Sequence, residues 1–297
     1  MPTYAITGGL GSGKTLVSVA RIKDYLLKNK RVATNLNLNL EKLLPAKSMA
    51  HVVRLKDFPD IGDLQLLGRG HYVPDPKIPG QFSKQEKYNG LLVLDECAVF
   101  FNSRDWGNKA RIAVIAWLRH SRKLGWDVIY IMQDVESIDK QIRKGLIEHE
   151  GVCKRSDRLS IPFIGGFLRT IGLGFLSRPP RIHVCSIKYG LGAHALVVDR
   201  WMYRGMLVQD GYDTNQVFTE YEDNPDAVAI HTVLSPYYIK GRYLPPSKWQ
   251  RVKLRMLGTP WKPRIQTHKL PLVQKIMKLP ANQRLEFFRR FQACGSI

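Results

Sequence analysis

The chain has 297 residues, and its apolar share of 44% is enough to bury one large core or two smaller ones, which excludes a wholly disordered chain. Lys and Arg number 46 against 25 Asp and Glu, and the resulting formal charge of +21 points to a polyanionic neighbour, nucleic acid or an acidic membrane surface, the alternative being a highly soluble basic protein with no polyanion partner. Cys97, Cys153, Cys185 and Cys294 form no C-x-x-C pair and no zinc-finger spacing with histidine, so they read as reduced thiols in a cytosolic setting.

The first residues lack the basic, apolar and small-residue segments of a secretory signal. No run approaches the roughly 18 to 20 apolar residues that span a bilayer. The nearest, "IPFIGGFLRTIGLGFL" at residues 161–176, is interrupted by Pro162 and Arg169 and is expected to be buried or interfacial.

In chain order, residues 3–7 read as a buried strand and residues 14–28 as a helix with Val17, Ala20, Leu26 and Leu27 on an inward face. A second strand is expected at residues 31–34. Glycines and prolines then mark residues 41–87 as a loop-rich insertion. Four consecutive aliphatics, Leu91 to Leu94, have the pattern of a central parallel strand buried on both faces. Helical spacing returns over residues 110–124, a strand follows at residues 127–133, and a short helix at residues 138–147. Strands alternating with helices predict an α/β fold with a parallel sheet covered on both sides.

Beyond residue 160 the pieces "RIHVCSIKYG", "HALVVDRWMYRG" and "TNQVFTEYE" are short, strand-like and divided by Gly and Pro. The expected organisation is therefore a core over residues 1–160, a β-rich appendage over residues 161–226, and a basic tail over residues 227–297. That tail carries 14 Lys or Arg against one acid, Glu286. Within it, apolar residues from Leu270 to Phe291 recur at helix-like intervals among cations, the pattern of two short amphipathic helices suited to an anionic headgroup layer or to a protein face.

The chemistry begins at "GGLGSGKT". Gly8, Gly9, Leu10, Gly11, Ser12, Gly13, Lys14 and Thr15 match the P-loop pattern G-x-x-x-x-G-K-[ST] in full, between a strand and a helix. Glycines let the backbone wrap a polyphosphate, with successive N–H groups and the positive end of the next helix aimed at the anion. Lys14 would meet the β and γ phosphates of ATP, and the Thr15 hydroxyl would ligate Mg²⁺. Asp95, at the end of the aliphatic strand, would hold the metal, and Glu96 would act as general base on the attacking water. Gln133 closes the next strand, where it would sense the γ-phosphate or orient water, or simply end the strand at the surface. Arg143 and Arg119 lead the candidates for an arginine finger reaching a neighbouring subunit, with Arg104 and Arg122 behind them. The histidines, His183 among them, have no metal-site spacing and read as packing or surface residues. Trp106, Trp117 and Trp126 read as core aromatics.

The order of these pieces, with "TNLNL" after the second strand, "LLVLDE", "FNSRDW" and "WLRHSRKLGWDVIYIMQ", resembles the zonular occludens toxin (Zot) family, the assembly ATPases of filamentous bacteriophages. Tyr212-Asp213-Thr214 ahead of Val217-Phe218 is similar to a motif near the end of that family's shared domain, so the resemblance covers roughly residues 1–220. It implies a homo-oligomeric, ATP- and Mg²⁺-dependent machine at the cytoplasmic face of the host inner membrane. Its partners would be phage single-stranded DNA with its binding protein, the phage coat protein, an outer-membrane secretin and other assembly proteins. Family members carry one transmembrane helix after the ATPase domain, and no apolar run of that length follows residue 220 here. Two other readings remain open at this point, an FtsK-like DNA-translocating ATPase and a nucleotide-gated membrane or DNA scaffold. The Asp95-Glu96 pair argues against the second.

Overall fold

The computed structural model of the chain describes residues 3–100, 109–138, 140–155, 182–192, 195–205, 208–218, 229–241, 248–249, 252 and 256–257. Strand β1 (Thr3–Thr7) leads through the glycine-rich loop into α1 (Lys14–Leu27), then β2 (Val32–Thr34), α2 (Leu40–Leu43), β3 (Val52–Arg54) and α3 (Ile61–Leu67). The chain continues as β4 (Gly90–Leu94), α4 (Cys97–Phe100), α5 (Lys109–His120), β5 (Trp126–Ile131), α6 (Lys140–Leu146), β6 (His149–Arg155), β7 (Ile182–Tyr189), β8 (Val197–Arg204) and β9 (His231–Val233).

Among the described residues these strands form one sheet in the order β8-β7-β6-β1-β5-β4-β2-β3-β9. The run from β6 to β3 is parallel, which brings the carboxyl ends of β1, β2, β4 and β5 to one edge. In such a sheet that edge is where ligands bind. Strands β7, β8 and β9 are added antiparallel at the flanks.

The burial of the central strands follows from the two-residue period of a strand. Leu91 and Val93 of β4, with Ile129 and Ile131 of β5, join Val17, Val19, Ile22 and Leu26 of α1 in one core. Leu92 and Leu94, with Val128 and Tyr130, face the other way and pack with Val114 and Leu118 of α5. Both faces are therefore dry, and all of β4 and β5 is buried. Truncating a fully buried residue such as Leu92 to alanine costs about 2–5 kcal/mol. Helix α1 stops where Asn29 takes a left-handed φ of 53° and the Lys28, Asn29 and Lys30 amides turn back onto the carbonyls of Tyr25 and Leu26. Helix α3 starts on a capping box, with Asp60 and Asp63 each accepting the other's backbone N–H.

Three placements differ from the periodicity reading. The insertion at residues 41–87 contains a parallel strand, β3, which at three residues is too short to register against the surrounding Gly and Pro. Two of the three pieces expected as a β-rich appendage, β7 and β8, are hydrogen-bonded into the core sheet through β6, so the strand ladder runs unbroken across the division drawn at residue 160, whereas the described part of the third, residues 214–218, forms no strand. Strand β9, within residues 227–297, seals the free edge of β3. Residues Tyr237–Ile297 form a unit separate from Met1–Pro236, and its described part includes the Tyr237 and Tyr238 rings, packed edge-on with centroids 5.5 Å apart. The runs at residues 161–176 and 270–291 and the "FNSRDW" stretch lie outside the described residues. Among the described residues no helix is long and apolar enough to cross a membrane. A largely parallel sheet covered by helices on both faces, with the glycine-rich loop joining β1 to α1, is the P-loop NTPase fold.

Candidate functional site

The loop between β1 and α1 is shaped by glycine. Gly8, Gly11 and Gly13 have φ of 139°, 67° and 92°, a region costly for residues with a Cβ. A Cβ on Gly13 would stand 2.0 Å from Nδ1 of His183 on β7, and one on Gly8 would stand 2.8 Å from the Cys153 carbonyl of β6. The loop therefore lies flat on the strands beside β1, and His183 is a packing residue whose ring fills the space beneath Gly13.

Lys14 Nζ donates to the carbonyls of Gly8, at 2.7 Å, and Gly9, at 3.3 Å, so its charge is folded over the loop. From the next position the Thr15 hydroxyl donates to Asp95 Oδ2 at 3.1 Å. Asp95 stands just past β4, two strands from β1, and the parallel order alone brings these distant residues together. Burial lifts the Asp95 carboxyl from the usual carboxylate range to about 6. Hydrogen bonds from the Glu96 amide and the Thr15 hydroxyl act against that rise, the Glu96 charge adds to it, and the Lys14 charge opposes it. Glu96 has a left-handed φ of 54° and its amide donates to Asp95 Oδ1 at 2.8 Å. This tight turn leaves the Glu96 side chain exposed while Asp95 is buried.

Gly11, Gly13, Lys14, Thr15, Asp95, Glu96 and Gln133 all line one cavity of about 360 Å³. Gln133 falls two residues past the end of β5, exposed, with its carbonyl 3.4 Å from the Gly8 amide. A hydroxyl and a buried carboxylate offer the hard oxygen ligands that Mg²⁺ takes, alongside water and phosphate oxygens, and the cationic glycine-rich loop beside them suits a polyphosphate. The residues present fit both groups.

The arginines are placed elsewhere in the chain. Arg119 on α5 lies against Gly145 of α6, and Arg143 reaches the Val135 carbonyl at 3.5 Å beside a separate cavity that Asp134, Glu136 and Lys188 also line. Arg122 lines a third cavity with Asn89 and Gly125, at the amino-terminal edge of the sheet. None of these three lines the cavity of Lys14 within this chain, and Arg104 lies outside the described residues. Trp126 is a core residue.

Two contributors lie in stretches to which the sequence assigns no chemistry. Asn35, directly after β2, is fully buried and holds Asp95 by its backbone: Oδ1 accepts from the Asp95 amide at 2.8 Å and Nδ2 donates to the Asp95 carbonyl at 3.0 Å. Tyr212, Asp213, Thr214, Gln216 and Phe218 form a further wall of the cavity. That segment is tied alongside residues 35–39 by a bridge between Leu38 and Tyr212 and by the Asp213 amide on the Asn37 carbonyl, 3.1 Å. The "TNLNL" stretch and the Tyr212-Asp213-Thr214 motif were visible in the sequence, but only the fold makes them neighbours.

The family model of the zonular occludens toxin (Zot) matches residues 2–165. The Gene 1 protein of Enterobacteria phage fd is 41% identical over 258 residues, a match spanning 86% of this chain and 70% of that protein. The Gene 1 protein of Salmonella phage IKe is 44% identical over 245 residues, 81% of this chain and 63% of that protein. Among solved structures, the N-terminal domain of zonular occludens toxin from Neisseria meningitidis aligns with 71% of this chain and 98% of its own, at 17% identity and a TM-score of 0.38. With more than half of its length matched by the family model and relatives of this identity over most of its length, the chain belongs to the zonular occludens toxin family.

Proposed function

We propose that this chain is an ATP-hydrolysing morphogenesis motor that drives assembly and extrusion of a filamentous phage at the host inner membrane. The observation that carries the reading is the contact of Thr15 with Asp95 inside a cavity shared with Lys14, Glu96 and Gln133. Membership of a family that includes phage Gene 1 proteins supports the biological setting.

In this reading the loop amides and the start of α1 bind the phosphates, and Lys14 leaves the Gly8 and Gly9 carbonyls to meet the β and γ oxygens. Thr15 and Asp95 would hold Mg²⁺, which when bound supplies charge neutralisation across the β and γ phosphates. Glu96, exposed at the mouth of the turn, accepts a proton from the attacking water as the new oxygen–phosphorus bond forms and the bond to the β-phosphate oxygen breaks. Gln133 orients that water. Arg119 and Arg143, outside the cavity in their own chain, are free by position to serve a neighbouring subunit of a homo-oligomer. Phage single-stranded DNA with its binding protein, the coat protein, a secretin and the inner membrane are the partners this role requires.

The test is phosphate release by the purified protein, alone, with phage single-stranded DNA and with naked duplex. Mg²⁺-dependent release that ends with Lys14→Ala supports the reading. Strong stimulation by naked duplex alone would move it to a DNA translocase, and nucleotide binding without release would leave a nucleotide-gated scaffold.

A further inference from the structure

The β2–β4 ladder ends at Thr34 opposite Val93. One residue later the Asn35 side chain takes the part that the next peptide group of a continuing strand would have played, accepting from the Asp95 amide and donating to the Asp95 carbonyl. A third Asn35 bond, from Nδ2 to the Asp57 carbonyl at 3.0 Å, anchors it on the far side. A buried amide with its donors and acceptor satisfied is a rigid, directional support. Its load here is the point where β4 leaves the sheet for the left-handed turn at Glu96.

Gln216 extends this support to the cavity wall. Its Nε2 donates to the Asn35 carbonyl at 2.8 Å and to Asp57 Oδ1 at 3.4 Å, while its Oε1 accepts from the Asn37 amide at 2.8 Å. Asp57 is itself paired with the buried Arg54, whose Nε donates to Asn37 Oδ1 at 2.7 Å. A continuous set of hydrogen bonds therefore joins the segment that lines the cavity at Tyr212, Asp213 and Thr214 to the backbone of Asp95.

We propose that Asn35 and Gln216 are positioning residues that couple the wall formed by residues 212–218 to the placement of Asp95, so that Mg²⁺ is held correctly only when that wall is seated. The proposal rests on the nucleotide-site reading above. It assigns a task to two residues that contact neither phosphate nor metal in that reading. Phosphate binding by the loop itself does not depend on Asp95, and this separates the brace from the rest of the site.

The experiment uses the full chain and a ribose-labelled fluorescent ATP analogue, titrated in EDTA and again across a Mg²⁺ series. Gln216→Ala removes the link to the wall. Asn35→Asp keeps the acceptor for the Asp95 amide and removes both N–H donations. Both variants are expected to bind the analogue in EDTA within about twofold of wild type, yet to need at least about tenfold more Mg²⁺ for the half-maximal gain in affinity, as losing a support behind a metal ligand does. Their kcat for phosphate release should fall with KM at saturating Mg²⁺ little changed. An unaltered Mg²⁺ response would overturn the proposal, and so would a parallel loss of binding in EDTA and Mg²⁺, which is the mark of general disruption. If Asn35→Asp does not fold, Gln216→Ala decides alone, since its side chain is only half-buried. A wild-type protein that binds no analogue in either condition would sink the nucleotide-site reading itself.

Discussion

The Thr15 hydroxyl donates to the Asp95 carboxylate over 3.1 Å, although 80 positions separate the two residues in the chain. One side of that contact belongs to the glycine-rich loop and the other to the strand that ends in the Asp95-Glu96 pair, so in the proposed function binding and hydrolysis would meet at a single hydrogen bond. Substitutions on either side of it should have different signatures.

Lys14→Ala is expected to weaken ATP binding and abolish turnover. Glu96→Gln should keep nucleotide affinity and lower kcat by about 10²-fold or more, because the exposed side chain loses only its capacity to take a proton. Equilibrium binding beside phosphate release checks both, and normal turnover by Glu96→Gln would remove that residue from the general-base role.

Gly13→Ala should be destabilising for two separable reasons. Its φ of 92° costs about 1–2 kcal/mol for a residue with a Cβ, and the new methyl group would meet the His183 ring. Thermal unfolding of Gly13→Ala, His183→Ala and the double variant measures the split. The double variant should recover the steric part and keep the backbone part; simple additivity of the two single effects would show that the ring was able to move aside.

Asp127 supplies the pH prediction. Its carboxylate accepts from the Tyr25 hydroxyl at 2.6 Å and from Asn89 Nδ2 at 2.8 Å, and burial nonetheless raises its pKa above the usual carboxylate value. A raised folded-state pKa in an acid means that the ionised group costs stability above that pKa, and the cost is relieved as pH falls through it toward the unfolded value. Asp127→Asn should therefore stabilise the protein on the order of 1 kcal/mol at neutral pH. Its amide would give Asn89 Oδ1, which has no hydrogen-bond partner among the described residues, a donor once the Asn89 amide turns over. Denaturant midpoints from pH 8 to pH 4 should converge for wild type and variant at the acid end, and a constant gap would refute the ionisation argument.

If Arg119 or Arg143 completes the site of a neighbouring subunit, mixing an arginine-deficient variant with Lys14→Ala should restore part of the phosphate release that each lacks alone. A finger of this kind is worth on the order of 10³-fold in rate. Mixtures that remain inactive for Arg104, Arg119, Arg122 and Arg143 alike would show that no shared site of this kind exists.

The P-loop and the Asp95-Glu96 pair were legible because each is a local pattern bounded by an aliphatic strand, and Leu91 to Leu94 could hardly have been placed anywhere but the centre of a sheet. Strand β3 was not legible. Three residues carry too little periodicity, and its stability comes from β2 and β9 on either side, a tertiary cause. For the same reason β7 and β8 read as strands but not as an extension of the core sheet, which β7 joins through β6 and β8 through β7. Asn35 is the clearest limit: a polar residue after a strand is ordinary in sequence, and only its placement level with Asp95 turns it into a support.

The position of β1 in the sheet sets a timetable for synthesis. Strand β1 is bordered by β5 and β6, which leave the ribosome well over a hundred residues after it. At roughly 5–20 residues per second, β1 and the apolar face of α1 wait on the order of 10 s before their partners exist. The nucleotide loop between them cannot be held flat until β6 and the still later β7 arrive beneath it. During elongation the growing chain thus presents an unpaired aliphatic strand and a loop with nothing to rest on. The last edge of the sheet closes only when β9 reaches β3.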